Sequence, residues 1–97
     1  MATVIVLINF TDQGLRNVKQ TTERAKAATA AAQKLGIKVK EIYWTLGQYD
    51  AVAIADAPDA EAVIAWALGL GSLGNVRTQT MRAFSAEEMN RVLAKIP

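Results

Sequence analysis

The chain has 97 residues, 52% of them hydrophobic, and a net charge of +2. That leaves room for one core and a single domain spanning residues 1–97, and too little charge to argue for a nucleic acid or an anionic membrane surface as partner. With no cysteine and no histidine, the sequence excludes a disulfide framework, a thiolate nucleophile and imidazole or thiolate metal ligands, so neither a metal nor a cofactor is expected.

Residues 4–9 form a continuous apolar run of strand length, rich in β-branched side chains. Val4, Val6 and Ile8 point one way and Ile5, Leu7 and Asn9 the other, so both faces are apolar for most of its length. This apolar start is too short to cross a bilayer, and it lacks the basic opening and small-residue cleavage site of a signal peptide. A cytoplasmic protein without membrane contact is therefore expected. Thr11 or Asp12 can cap a helix that runs to Leu35 and stops at Gly36. Leu15, Val18, Thr22, Ala25, Thr29 and Ala32 make its inward stripe. Its far half is mostly alanine, which suits close packing on a sheet. Its basic residues, Arg16, Lys19, Arg24, Lys26 and Lys34, read as a solvated face.

Residues 37–46 make the second strand. Its apolar parity changes near Lys40 and Glu41, which predicts a β-bulge, and Tyr43 and Trp44 fall on opposite faces. Residues 51–55 make a third strand, apolar on both faces. The turn between them, Gly47-Gln48-Tyr49-Asp50, closes a hairpin. Gly47 is expected to adopt a backbone conformation that other residues resist, with Gln48 beside it in a structural turn and Asp50 accepting turn hydrogen bonds.

Asp56-Ala57-Pro58-Asp59 opens a second helix, with Pro58 in its first turn. Ala60, Val63, Ile64, Ala67 and Leu70 form its inner face, Trp66 lies off that stripe and partly exposed, and the helix ends at Gly69 and Gly71. In residues 75–84, Val76, Thr78, Thr80 and Arg82 alternate with Arg77, Gln79, Met81 and Ala83, a fourth strand. Ser85-Ala86-Glu87-Glu88 is a capping-box pattern, opening a final helix with Met89, Val92, Leu93 and Ile96 inward. The order is βαββαβ plus a short C-terminal helix, an α+β chain of the split-βαβ pattern.

The hairpin turn also carries a resemblance. Gly47-Gln48-Tyr49-Asp50 resembles the glycine–tyrosine–aspartate signature of the GYD-domain family, with one residue between glycine and tyrosine. Leu46 before it, Phe10-Thr11-Asp12-Gln13-Gly14 and Leu73-Gly74-Asn75-Val76-Arg77-Thr78 are family-like as well. The resemblance implies a ferredoxin-like unit of the dimeric α/β-barrel type and carries over no catalytic role.

Two helices on one side of four strands leave the other side bare, and here that side is apolar. Another copy of the chain is the expected cover, sheet on sheet about a two-fold axis. The alternative is a monomer whose C-terminal helix folds across the sheet.

Few motifs point to chemistry. Gly69-Leu70-Gly71-Ser72-Leu73-Gly74 spells a dinucleotide fingerprint, but it follows a helix and precedes a strand, the reverse of what pyrophosphate binding needs. Trp44, Tyr49 and Asp50 are candidate ligand contacts at a cavity edge: an aromatic face, a phenol and a carboxylate. Arg82 is a candidate anion or ion-pair site, since only one of Arg77 and Arg82 can face the helix-free side. Asn9, with Thr11, is either a cap or a pocket rim.

Three functions compete. The first is a self-associating small-ligand-binding or structural module. The second is a cofactor-independent monooxygenase or isomerase acting on a small apolar or aromatic substrate, suggested by fold analogy alone. The third is an effector-sensing partner of a regulatory protein.

Overall fold

The computed structural model describes all 97 residues. Strand β1 (Ala2–Phe10) leads through helix α1 (Asp12–Arg16) and a 3₁₀ turn (Val18–Gln20) into α2 (Thr21–Lys34). Strands β2 (Lys38–Trp44) and β3 (Ala51–Ala57) form the hairpin. Helix α3 (Ala60–Ser72), strand β4 (Val76–Ala83) and helix α4 (Ala86–Leu93) complete the chain. The sheet order is β2-β3-β1-β4 with every neighbouring pair antiparallel, a ferredoxin-like α+β arrangement. The ladder slips between Val39 and Glu41, where the change of apolar parity places a bulge.

The helix read as running from residue 11 or 12 to 35 is in fact broken. Asn17 leaves the helical region at φ −108°, ψ 27°, and its backbone N–H closes α1. Arg24 donates to the Asn17 carbonyl at 2.7 Å and to the Gly14 carbonyl at 3.2 Å, which pins the break. Leu15 and Val18, expected inward, fall before the start of α2 and are exposed, as is Thr22, while Ala25, Thr29 and Ala32 of the expected stripe do turn inward, joined by Ala28.

Helix α3 keeps Val63, Ala67 and Leu70 of the expected stripe partly buried but centres its inner face on Trp66. Ile64 and Ala60 are exposed, and Trp66, expected off the core, is 5% exposed. The small side chains of α2 make the room, and the indole N–H donates to the Ala28 carbonyl at 3.0 Å, so burial leaves no donor unpaired. Pro58 lies just before the helix, and Asp59 caps it by accepting from the Ala62 N–H at 2.8 Å. The helix passes through Gly69 and Gly71 and turns into β4 at Gly74, where φ is +85°.

The core is thin. Val4, Val6, Ala53, Ala55 and Ala57 meet Ala32, Ile37 and Trp66 in a single layer between sheet and helices. Only 10 residues are buried in all, because the other sheet face is covered by nothing in the chain. The capping box of α4 forms as the sequence predicts, with Ser85 Oγ accepting from the Glu88 N–H and the Glu88 carboxylate from the Ser85 N–H. Its apolar side is not inward, however. Met89, Val92, Leu93 and Ile96 are exposed, and α4 buries no residue. The radius of gyration is 14.6 Å, against about 12.5 Å for a compact chain of this length. A helix that does not pack back onto the chain accounts for such an excess.

Candidate functional site

The uncovered sheet face has a defined anatomy. The register lines up Glu41, Ile54, Ile5 and Met81 in one row across the four strands, and Tyr43, Val52, Leu7 and Gln79 in the next. The centre is apolar. Lys38, Asp56 and Thr3 border it at one end, and Asn9 and Arg77 at the other. An apolar centre with a polar rim is the layout of a protein interface. Arg77 is thus the arginine on this face; Arg82 lies on the helix side.

Behind the sheet, between it and α2 and α3, an open chamber of about 340 Å³ is lined by 21 residues, 17 of them hydrophobic. That volume falls within the ~300–1,000 Å³ of small-molecule sites. Small residues make the space: Ala51 and Ala53 on β3, Ala25 and Ala28 on α2. Large ones wall it. Trp66 closes the back, and Trp44 bridges the end of β2 to the start of α2 by donating its indole N–H to Thr21 Oγ at 3.0 Å. The polar lining is sparse and includes Arg24 and Asn75.

The three family-like stretches converge at the Phe10 end of the sheet. Thr11 at the end of β1 caps α1, accepting from the Gly14 N–H, while its own hydroxyl donates to the Gly74 carbonyl. The Thr11 N–H donates to the Asn75 carbonyl at 3.1 Å, and the Gln13 amide to Leu73 O and Asn75 Oδ1. Phe10–Gly14 and Leu73–Thr78 are therefore one interlocked unit.

The hairpin turn ties to the same place. Asp50 Oδ2 accepts from the Phe10 N–H at 2.8 Å, and the Asp50 N–H donates to the Ile8 carbonyl. The Asn9 amide donates to the Gln48 carbonyl at 2.7 Å. The Tyr49 hydroxyl donates to Gln79 Oε1 at 3.2 Å, and Thr45 Oγ donates to the Tyr49 carbonyl. Gly47 stands at φ +105°, a region that favours glycine.

Of the candidate contacts, Trp44 lines the chamber. Asn9, Gln48, Tyr49 and Asp50 bind backbone and side chains of neighbouring strands and hold the turn. Arg82 is far from them, paired with Glu88 at 3.1 Å and lying over the Phe84 ring at 4.3 Å, and its guanidinium also donates to the Ala83 carbonyl. The Glu88 carboxyl is held below its usual value, first by the Ser85 backbone N–H and then by the Arg82 side chain.

Phe10, Arg24, Trp66 and Asn75 line the chamber too and escaped the reading of the residues. Two of them, Phe10 and Asn75, sit in family-like stretches, which was the available signal. Arg24 gave none, being one base among several on a helix.

Comparison with known proteins agrees with this geometry. A Thermus thermophilus protein described as a glutamine synthetase and cystathionine beta-lyase binding protein is 34% identical over 90 residues, covering 92% of this chain and 95% of that one. A crystal structure of a Thermus thermophilus protein, 33% identical, superposes with a TM-score of 0.57 over 89% of this chain and 96% of the other. The crystal structure of FFRP-DM1, 19% identical with a TM-score of 0.57 over 87% and 100% of the two chains, shares the fold. The GYD domain pattern matches residues 4–93, a span that takes in all three interlocked stretches, and the chain belongs to the GYD-domain family.

Proposed function

We propose that the protein is a self-associating binding module. Two copies pair through their helix-free sheet faces, the pair engages other proteins, and the chamber behind each sheet holds a small ligand. The observation that carries this reading is the bare apolar centre of the sheet, Ile5, Leu7, Val52, Ile54 and Met81, ringed by polar residues. A soluble chain seldom leaves such a patch uncovered. Helix α4 points the same way: its capping box and the Arg82–Glu88 bridge hold a helix whose apolar stripe is left exposed.

The protein-binding part draws support from the relative described as binding glutamine synthetase and cystathionine beta-lyase. Biolayer interferometry with the immobilised chain and each of these two enzymes from its own organism tests it. Saturable binding to at least one of them at micromolar concentration is expected. Absence of binding to both, by a chain shown to be folded, would remove those partners from the reading.

A further inference from the structure

We propose that the chamber takes a small amphipathic anion, an apolar body carrying one carboxylate-like group, with Arg24 as the residue that binds the charge. This rests on reading the chamber as a ligand site. It commits further, to the ligand's class and the position of its headgroup.

Arg24 is half-buried and lines a chamber that is otherwise almost wholly hydrophobic. Its guanidinium lies over the Phe10 ring at 5.8 Å. No carboxylate pairs with it: the four ion pairs in the chain join Lys26–Glu23, Lys40–Asp56, Arg82–Glu88 and Arg91–Glu87. Two backbone carbonyls, those of Asn17 and Gly14, fix its position without neutralising its charge. They take two of its five N–H donors and leave three. A fixed, unneutralised guanidinium beside an apolar volume selects an oxyanion attached to an apolar body.

Asn75 adds a second donor from the same end. Its Oδ1 accepts from Gln13, and its side-chain N–H₂ has no partner in the chain. Gly14 ties the two groups together, since its carbonyl accepts from Arg24 and its backbone abuts that of Asn75. A single charged residue in the lining fits a singly charged headgroup better than a phosphate.

The chain supplies its own reporter. It has two tryptophans, Trp44 and Trp66, and both line the chamber. Tryptophan emission therefore reads this site. Octanoate and its neutral analogue 1-octanol, both transparent at the excitation wavelength, are the probes. Both should change the emission saturably, and Ala53→Leu, which fills the chamber, should weaken both. Arg24→Met should weaken octanoate by about tenfold or more, the usual worth of a charge-assisted hydrogen bond, and leave 1-octanol unchanged. Arg24→Lys should recover part of the loss. In the unaltered chain, octanoate but not 1-octanol should shift the Arg24 Nε–H resonance, a readout independent of how the variants fold. If both probes bind but octanoate ignores Arg24→Met and leaves the Arg24 resonance in place, the charge assignment is wrong while the chamber stands. If neither probe binds, both are wrong.

Discussion

Gly14 and Asn75 pack backbone to backbone: a Cβ on Gly14 would strike the Asn75 carbonyl oxygen and come within 3.0 Å of its carbonyl carbon. Neither atom is the yielding end of a flexible side chain. The contact locks the start of α1 onto the turn that leads into β4, and it sets the Phe10 end of the chamber.

Gly14→Ala should therefore destabilise the fold by about 1–3 kcal/mol, the usual cost of overpacking a rigid site. A control separates this from ordinary helix propensity. Gly71 lies within α3, has no positive φ, and would place an added Cβ in open space with nothing inside 4 Å. Gly71→Ala should stabilise by up to about 1 kcal/mol. Thermal melting of the two variants should move in opposite directions, and equal shifts would count against the Gly14 contact.

The hairpin turn should respond residue by residue. A side chain at Gly47 has free space around it but an unfavourable φ of +105°, so Gly47→Val should cost about 1–3 kcal/mol from backbone strain alone. Asp50→Ala removes the acceptor of the Phe10 N–H and should cost about 1–3 kcal/mol for the unsatisfied group. Tyr49→Phe loses one bond to the exposed Gln79 side chain and should stay within about 1 kcal/mol. Chemical denaturation of the three variants tests that order.

Acid should loosen α4 first. The folded-state pKa of Glu88 is lowered from 4.5, chiefly by the Ser85 N–H and then by Arg82. A depressed carboxylate stabilises the folded helix fully above its unfolded value, and that contribution is lost as pH falls through the lower folded value. An NMR titration should place the Glu88 midpoint below 4.5. Arg82→Gln should raise the midpoint without fully restoring it, because the Ser85 bond remains. A midpoint at or above 4.5 in the unaltered chain would refute the capping geometry.

The apolar strand runs of residues 4–9 and 51–55, the bulge near Lys40 and the capping box at Ser85 were legible because each is a local pattern. The break at Asn17, which leaves Leu15 and Val18 outside the stripe that α2 keeps, was not, because Arg24 secures it from seven residues away. The burial of Trp66 depends on a carbonyl of another helix. Of the chamber only Trp44 was legible as a ligand contact: it is the space left where alanines of β3 and α2 face each other, and a single sequence does not show which small residues will meet. The exposed stripe of α4 looked like core because amphipathicity does not say whose surface it will cover.

Static light scattering, at micromolar concentration, on the unaltered chain and on a Val52→Glu variant tests the proposed pairing of sheet faces most directly. Val52 sits beside Leu7 and Tyr43 at the middle of the bare face, where a charge opposes pairing but leaves the helix-side core untouched. The unaltered chain should scatter with about twice the 10.4 kDa mass of one copy or more, and Val52→Glu should remain folded and shift toward a single copy. A folded, soluble unaltered chain that scatters as a monomer would contradict the pairing.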